Sequence, residues 1–407
     1  MTHSLLCCSG SLDGGGSERQ LWQLVNGIDR AKCRPSVYLL YRQGRYLREL
    51  AEDVPVFDFW SHYDSDRFLI GQAHREQIRH LEVTIAREEI EIVYDRTFHM
   101  TLITAAACRR SGVPRVSAIV SPPSQDFARS RERFHFLKKR ILRKAYRDPN
   151  SLVLTVSDAV ADDAAEYYGL DRDNLRVVAS PVDTSLVRKL AMEPLDSDSG
   201  IDPDSSTMNI CVVGRLSEEK GQRDAIQAFA EFVNSNEPEL QGSGAALHIV
   251  GDGPMRSNLQ ALVDELGLAA DVHFHGFVEN PYPIMQGCDL LLLPSHYEGL
   301  PNVVLEAMAL ETSLLVTRCS STLESILDQA GLAEHEAQLV PAGDVSRMAE
   351  GLQLVQRRLR EAGRVPALSA RKYVESHHGM PNWLAQMEAI FAEQLARAPT
   401  LPRRKQR

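Results

Sequence analysis

Long hydrophobic runs, paired cysteines and an excess of positive charge are all missing from this sequence of 407 residues. No run of about 18 apolar residues is present, so we expect no membrane-spanning helix. The seven cysteines have neither CxxC pairs nor metal-ligand spacing, which indicates reduced core residues. The net charge of -10 argues against general binding of nucleic acid.

The amino terminus also lacks the features of a secretory signal. The stretch MTHSLLCCSGSLDGGG has no basic n-region, and its apolar run is too short for a signal h-region. We therefore expect a cytoplasmic protein, with membrane contact limited to peripheral binding at the inner face of the plasma membrane.

Apolar strand-like runs alternate with helical patterns through both halves of the chain. The predicted strands of the first half are Ser4–Ser9, Ser36–Tyr41, Ile90–Tyr94, Val116–Val120, Leu152–Val156 and Leu175–Ala179. Those of the second half are Met208–Val213, Ala246–Val250, Val272–His275, Leu290–Leu293 and Ser313–Thr317. Apolar strands separated by helices predict parallel sheets covered on both faces. The predicted class is α/β, with two doubly wound, Rossmann-like domains.

Composition also marks the domain boundaries. The stretch Pro194 to Thr207 is rich in Ser, Asp, Gly and Pro without an apolar period, as expected of a linker. After Pro381, an amphipathic pattern predicts one last helix through Trp383, Leu384, Met387, Ile390, Phe391 and Leu395. The predicted segments are a first domain at 1–190, a linker at 191–207, a second domain at 208–380, and a last helix with a basic tail at 381–407.

Loops that follow strands are the expected ligand sites, because open parallel sheets bind ligands at the carboxyl ends of their strands. In SLDGGGSER, Gly15 and Gly16 let the backbone approach a ligand, and the following helix directs its amides at an anion. A tight turn explains the same glycines equally well. The loop has no GxGxxG fingerprint, and the second strand ends in Arg42 instead of an acid, which disfavours a nicotinamide-dependent dehydrogenase.

A second loop, GRLSEEKG, carries two cations. Arg215 comes after Gly214 at the end of a strand, and Lys220 shortly precedes a helix. A guanidinium and an ammonium in one loop suit a diphosphate. The alternative is a surface charge cluster with Glu218 and Glu219.

Two further loops follow strands of the second half. Gly253, in VGDGP, is expected to turn the chain near the ligand. Phe277 lies in FHGFVEN, whose backbone groups are suited to reading the edge of a base.

The stretch HYEGLPNVVLEAMAL contains two carboxylates beside or within an apolar helix. Pro301 suits a first helical turn, so the helix is expected to begin near Leu300, Pro301 and Asn302. Glu306 lies one turn further on, and a glutamate is rarely buried without a partner. Hydrogen bonds to ionised groups contribute roughly 1.5–3 kcal/mol each, enough to orient a ribose at Glu306 and a sugar at Glu298. The alternatives are a structural salt bridge for Glu306 and a solvated loop acid for Glu298.

These motifs resemble a known family. Glu298 and Glu306 with seven residues between them, together with GRLSEEKG, VGDGP, HGFVEN, CDLLLLPS and VPAGD, are similar to the retaining glycosyltransferases of family 4, also called glycosyl transferases group 1. The resemblance covers nearly the whole chain and is stronger in the second domain. It implies the GT-B fold, in which two Rossmann-like domains face each other across a cleft and the last helix crosses back to the first. The second domain would bind a nucleotide-sugar and the first an acceptor.

The resemblance also implies residue roles. Arg215, Lys220 and Glu298 would be catalytic, with the two cations on the diphosphate and Glu298 on the donor sugar. The implied donor-binding residues are Gly15, Gly16, Gly214, Gly253, Phe277, Gly299, Leu300, Pro301, Asn302 and Glu306. Ser121 stands where many members carry a histidine, and His99 is the nearest alternative. Both are candidates for contact with the acceptor or the sugar.

The implied function is retaining transfer from a UDP- or GDP-sugar to a glycan or lipid-linked saccharide in polysaccharide biosynthesis. No metal triad is evident, so we expect neither a metal nor another cofactor. One alternative is a non-catalytic glycosyltransferase-like subunit that binds a sugar nucleotide, which Ser121 favours. Another is a sugar-nucleotide epimerase, but we find no convincing acid/base set for it.

One segment departs from the acidic average. Residues 128–147 contain nine Arg or Lys residues and one acid, with Phe134, Leu137, Ile141 and Ala145 at near-helical spacing. A basic amphipathic helix is typical of a segment that binds an anionic membrane surface. The alternative is a solvated helix whose apolar stripe packs on the first domain.

Overall fold

The computed structural model describes most of the chain. The described ranges are residues 2–13, 15–63, 71–129, 135–196, 199–201, 206–235, 244–333 and 336–397. Three predicted segments lie partly outside them: the linker at 197–198 and 202–205, the basic segment at 130–134, and the basic tail at 398–407.

The chain divides into two compact units. The first comprises Met1–Pro181 and Pro381–Arg407, and the second comprises Val182–Met380. Each unit is built around one parallel sheet with helices on its faces.

The sheet of the first unit has seven strands in the order β3-β2-β1-β4-β5-β6-β7. Its strands are β1 (His3–Ser9), β2 (Cys33–Leu39), β3 (Val56–Asp58), β4 (Ile92–Arg96), β5 (Arg115–Ile119), β6 (Ser151–Thr155) and β7 (Leu175–Val177). Its helices are α1 (Gly16–Gly27), α2 (Gln72–Arg87), α3 (Phe98–Ser111), α4 (Pro123–Arg129), α5 (His135–Tyr146), α6 (Asp158–Tyr168) and α15 (Met380–Arg397). Strand β1 pairs in parallel with both β2 and β4, so the strand order reverses there, where doubly wound sheets bind ligands.

The sheet of the second unit has six strands in the order β10-β9-β8-β11-β12-β13. Its strands are β8 (Met208–Val213), β9 (Ala245–Val250), β10 (Val272–Gly276), β11 (Leu290–Leu293), β12 (Ser313–Thr317) and β13 (Ala337–Val340). Its helices are α7 (Thr184–Ala191), α8 (Gln222–Val233), α9 (Arg256–Glu265), α10 (Tyr282–Gly287), α11 (Asn302–Ala309), α12 (Ser321–Ala330), α13 (Val345–Ala362) and α14 (Leu368–His377). The reversal of strand order falls between β8 and β11.

The prediction of two doubly wound parallel sheets is confirmed, and every predicted strand has a counterpart. Two strands were missed, β3 and β13. Both are short, with three and four residues, so neither contains enough apolar residues to show a period. Strand β2 begins at Cys33, earlier than predicted, and includes Pro35.

The contacts of α7 place it in the second unit, whereas the predicted first domain extended to residue 190. This helix packs against α10 and α11. Asn280 donates a side-chain hydrogen bond to the carbonyl of Leu190 at 2.9 Å, and Arg188 pairs with Glu311 at 3.0 Å. The last helix, α15, buries Trp383 and Phe391 in the first unit.

A buried ion pair connects β4, β5 and α3 in the first unit. The carboxylate of Asp95 is fully buried and accepts hydrogen bonds from Thr101 at 2.6 Å, Thr104 at 2.7 Å and Ser117 at 2.9 Å. The guanidinium of Arg115, 2% exposed, lies 3.9 Å from it. These partners replace the hydration that both charges lose on burial.

A buried histidine occupies the interior of the second unit. The ring of His248, on β9, is within 3.1 Å of His275 Nε2 and 3.1 Å of Asn209 Oδ1. Burial, followed by the nearby charges of His275 and His273, lowers the pKa of His248 to about 3. The ring is therefore neutral at physiological pH.

None of the helices in the described ranges is both long enough and apolar enough to cross a bilayer.

Candidate active site

The loops after β8 and β9 are in direct backbone contact. Gly251 adopts φ 138°, and a Cβ atom there would lie 2.0 Å from the carbonyl oxygen of Gly214. The amide of Leu216 donates to the carbonyl of Asp252 at 3.0 Å, just before Gly253. Only glycine permits this approach, so the two glycine-containing loops form one continuous surface at the carboxyl ends of these strands.

The loop after β8 also packs on the loop after β11. Gly221 adopts φ 66°, and a Cβ atom there would lie 2.1 Å from the carbonyl oxygen of Pro294. The amide of His296 donates to the carbonyl of Glu219 at 2.9 Å. This contact lies where the strand order of the sheet reverses, the expected ligand position for such a sheet.

Packing of these loops brings Lys220 onto Glu298. The Lys220 Nζ lies 2.5 Å from Glu298 Oε1, and Ser295 Oγ donates to the same oxygen at 2.9 Å. The side chains of Lys220 and Glu298 are 28% and 13% exposed. An ammonium has three donors, so Lys220 can hold Glu298 and still contact a phosphate. Within the described chain both hydrogen bonds to Glu298 use Oε1, which leaves Oε2 for a sugar hydroxyl.

The second cation of this loop is more exposed. The Arg215 side chain is 71% exposed, and its Nη2 lies 3.1 Å from Glu219 Oε1. Partial burial of Glu219 favours its neutral form, but hydrogen bonds from Ser217, the Glu219 backbone and Arg215 outweigh it and lower the pKa of Glu219. The charge cluster considered as an alternative is therefore present in part. The guanidinium retains further N–H groups for an anion.

Helix α11 begins directly after this pair. It starts at Asn302, close to the predicted start, but Pro301 is its N-cap, with extended backbone, and not a residue of its first turn. Leu300 is buried, and Glu306 lies in the second turn with 5% exposure. Ser320 Oγ donates to the carbonyl of Gly299 at 3.2 Å, so the loop after β12 supports this turn.

Asn302 carries an unused polar atom at the start of α11. Its Oδ1 is buried without a hydrogen-bond partner among the described residues. An unsatisfied buried acceptor costs about 1–3 kcal/mol, a cost that a ligand donor would remove. This atom is therefore a candidate ligand contact.

Phe277 follows β10 at the far side of the sheet from β11. Its side chain is 63% exposed. No contact within the described ranges connects it to the pair of Lys220 and Glu298.

In the first unit, the loop after β1 ends at α1. Gly15 is the N-cap and Gly16 the first helical residue. The guanidinium of Arg96, at the end of β4 and 5% exposed, donates to Ser17 Oγ at 3.1 Å and to Gln20 Oε1 at 2.6 Å. This buried arginine ties the start of α1 to the end of the neighbouring strand.

His99 and Ser121 follow β4 and β5 at the same edge of this sheet. His99 lies in the first turn of α3, with its ring 4.0 Å from that of Phe98. The preceding residue, Thr97, adopts φ 71°, which is uncommon for a β-branched residue and found often at functional sites. Ser121 donates a hydrogen bond to the carboxylate of Asp126 in α4.

Sequence reasoning missed two residues that organise the site. Ser295, which orients Glu298, follows the apolar run of β11, and Arg96 ends the apolar run of β4. A polar residue at the end of a buried strand is the signal that could have identified both.

Two family models match this chain. Residues 207–357 match glycosyl transferases group 1, and residues 14–186 match glycosyltransferase family 4. The matches cover the sheet of the second unit and strands β2 to β7 of the first. The chain belongs to the group 1 and family 4 glycosyltransferases. The family assigned from the motifs is thus confirmed.

Curated relatives support this assignment. The 2-deoxystreptamine glucosyltransferase of Streptomyces kanamyceticus is 32% identical over 160 residues, 38% of this chain and 40% of the relative. A Campylobacter jejuni α-1,4-N-acetyl-D-galactosaminyltransferase, named for a saccharide on diphospho-undecaprenol, is 25% identical over 85% of this chain and 86% of its own. The chain spans less than half the length of several relatives that it matches at 30% identity or more.

Solved structures share the fold of this family 4 chain. HepE from Anabaena, solved with UDP, has a TM-score of 0.73 and 19% identity, covering 97% of this chain and 100% of HepE. The lipopolysaccharide glycosyltransferase WaaG has a TM-score of 0.70 and 16% identity, covering 95% of this chain and 99% of WaaG. The predicted GT-B fold is therefore confirmed.

Proposed function

We propose that this chain transfers a sugar, with retention of anomeric configuration, from a nucleoside diphosphate donor to a glycan or lipid-linked saccharide. The observation that carries the proposal is the 2.5 Å contact between Lys220 and Glu298, beside Arg215, where the strand order of the second sheet reverses. Two cations and a carboxylate in this position suit a diphosphate joined to a polyol.

The chemistry requires stabilisation of the leaving group. As the bond from the anomeric carbon to the diphosphate oxygen breaks, negative charge grows on the diphosphate, and Arg215 and Lys220 neutralise it. The acceptor hydroxyl oxygen bonds to the same face of the anomeric carbon, and its proton passes to the departing phosphate oxygen. No protein nucleophile is needed.

The carboxylates orient the donor. Glu298 Oε2 accepts a hydrogen bond from a sugar hydroxyl while Lys220 and Ser295 hold Oε1. Glu306 is assigned to the ribose, although its 5% exposure requires the ribose to fit closely against α11. Asn302 Oδ1, buried and unsatisfied, would accept a further donor from the nucleotide sugar.

A uridine nucleotide is the first donor to test, with a GDP-sugar second. HepE, which shares the fold, was solved with UDP and with UDP-glucose. Thermal shift with UDP-, GDP- and ADP-sugars, followed by a nucleotide-release assay with the stabilising donor, tests the proposal. A chain that no sugar nucleotide stabilises, or that never releases nucleotide with any acceptor, would contradict it.

A lipid-linked acceptor at an anionic membrane is supported by α5. The alternative of an apolar stripe packed on the first unit predicted burial of Leu137 and Ile141, but they are 54% and 41% exposed. The buried residues of the helix are Leu142, Ala145 and Tyr146, so of the described stripe residues only Ala145 is buried. Its exposed apolar residues and basic side chains suit the surface of a membrane with anionic lipid, and we place the enzyme at the cytoplasmic face. Vesicle co-sedimentation at low salt is the test, and no binding to acidic vesicles would refute it.

A non-catalytic sugar-nucleotide-binding subunit is the second candidate. The observation that favours it is Ser121, whose hydroxyl donates to Asp126 at a position where the family resemblance implies a histidine. Calorimetry with sugar nucleotides, followed by an assay for nucleoside diphosphate release, separates the two functions. A binding subunit binds the sugar nucleotide but releases no nucleoside diphosphate when acceptor is present.

A further inference from the structure

A basic concavity lies on the first unit, away from the loops assigned to sugar transfer. Its volume is about 480 Å³. We call it the α3–α5 basic pocket, and it is lined by Arg109, Arg140, Arg143, Lys144, Arg147, Asp148 and Pro149. Five cations and one acid thus face a single depression in a chain whose net charge is -10.

The charges of this pocket are poorly compensated. Among the described lining residues Asp148 is the only acid, and its carboxylate lies 3.0 Å from Arg109 Nε. Arg140 and Lys144 are exposed and have no carboxylate partner among the described residues. By contrast, Arg30 of the same unit, 32% exposed, pairs with Asp53 at 2.6 Å. Like charges in one depression repel each other, so the pocket favours an anion from outside the chain.

The pocket opens at the amino-terminal edge of the sheet. Arg109 lies in the last turn of α3, and Pro149 precedes the first residue of β6. Gly15 and Ser121 lie at the opposite, carboxyl edge of the same sheet. An anion bound in the α3–α5 basic pocket is therefore not the diphosphate of the donor.

The same helix places apolar side chains beside this pocket. Phe136 is 82% exposed, Leu137 54% and Ile141 41%. Arg140 lies one turn from Phe136, and Lys144 one turn from Arg140, so cationic and apolar groups are neighbours on the exposed face of α5. A ligand that has both a phosphate and a hydrocarbon chain would contact both.

We propose that the α3–α5 basic pocket binds the phosphate group of a membrane lipid, with a phosphomonoester preferred over a phosphodiester. A phosphomonoester carries about −1.5 to −2 charges at neutral pH and offers three acceptor oxygens, which match converging guanidinium and ammonium groups. The acyl chains lie toward Phe136 and Leu137. The inference rests on the membrane docking proposed above and adds a headgroup preference to it.

The test compares two double variants in the full chain. Arg140→Gln with Lys144→Gln removes two cations of the pocket. The control, Arg75→Gln with Arg79→Gln, removes two exposed cations of α2, another helix of the same unit. These two residues are four positions apart, as Arg140 and Lys144 are. Binding is measured by co-sedimentation with phosphatidylcholine vesicles that contain phosphatidic acid or phosphatidylglycerol, matched for surface potential.

We expect the unmodified chain to bind phosphatidic acid vesicles at least about fivefold more tightly than phosphatidylglycerol vesicles, the effect of roughly one additional charge contact near the surface. The pocket variant should lose this preference, and the α2 variant should retain it. Equal binding to the two vesicle types, or equal loss in the two variants, would show non-specific attraction and overturn the inference.

Two further outcomes are informative. Calorimetric binding of inorganic phosphate as tight as binding to phosphatidic acid vesicles would assign the pocket to free phosphate and overturn the lipid assignment. Vesicle binding without a headgroup preference contradicts this inference alone, whereas no vesicle binding at low salt contradicts the proposed membrane docking as well. Turnover of the donor with a soluble acceptor should be unchanged in the pocket variant. This result would separate headgroup binding and membrane docking from sugar transfer.

Discussion

Replacing Lys220 by methionine should nearly abolish sugar transfer and leave the second unit folded. Methionine keeps the length of the side chain but removes the ammonium that lies 2.5 Å from Glu298. If this ammonium stabilises the departing diphosphate, its loss should lower kcat about 10²–10³-fold, equivalent to ~3–4 kcal/mol.

The structure predicts a much smaller effect on stability. The Lys220 side chain is 28% exposed and water replaces part of its interaction, so the pair contributes near the 1 kcal/mol of a surface ion pair. Glu298 also retains its hydrogen bond from Ser295 at 2.9 Å. The free energy of unfolding should therefore fall by about 1 kcal/mol or less. The rate effect exceeds the stability effect only if Lys220 acts on the reaction.

The assay measures nucleotide release at saturating donor, with the nucleotide sugar that gives the largest thermal shift. Lys372→Met, at an exposed position of α14, is the matched control and should keep normal turnover. Combining Lys220→Met with Glu298→Gln should give a loss smaller than the product of the single losses, because the two side chains are in contact. Turnover within threefold of the unmodified chain in Lys220→Met, with donor saturating, would refute the reasoning.

Four further predictions follow from other features. Gly221→Ala should lower the free energy of unfolding by more than the roughly 1–2 kcal/mol that an alanine costs in the left-handed conformation, because its Cβ would also meet a backbone carbonyl. Gly267→Ala is the control, since a Cβ there meets open space and the variant reports the conformational cost alone. Urea titration measures both variants. Arg115→Met should cost about 3–5 kcal/mol, since it leaves Asp95 buried without its ion pair, and a loss under 1 kcal/mol would contradict this. The pKa of His248 is about 3 in the folded chain and about 6.5 in the unfolded chain, so the neutral ring contributes its full stabilisation above pH 6.5. As the pH falls, protonation of the unfolded state should lower the free energy of unfolding, by ~2 kcal/mol at pH 5. Urea titrations measure this dependence on pH, which His248→Gln should reduce. Turnover should survive EDTA, and restoration of a lost activity by Mg²⁺ would contradict the prediction of metal-independent transfer.

Most of the fold was predictable because its signals are local. Strand β11 reads as four leucines, and helix α15 repeats its apolar residues at helical spacing, so each segment reveals its conformation within a short window. The missed strand β3 has only three residues. It joins the sheet through pairing with β2, a long-range contact that its own composition does not encode.

The candidate site shows the same division. The sequence by itself determined which loops carry Arg215, Lys220 and Glu298 and which helix carries Glu306, because strand ends, turn residues and helix starts are local features. Only the tertiary structure decided that Lys220 contacts Glu298, since that contact joins residues 78 positions apart through the order of β8 and β11 in the sheet. Which charges face each other is set by long-range packing, and the same holds for the α3–α5 basic pocket, where cations from two helices meet.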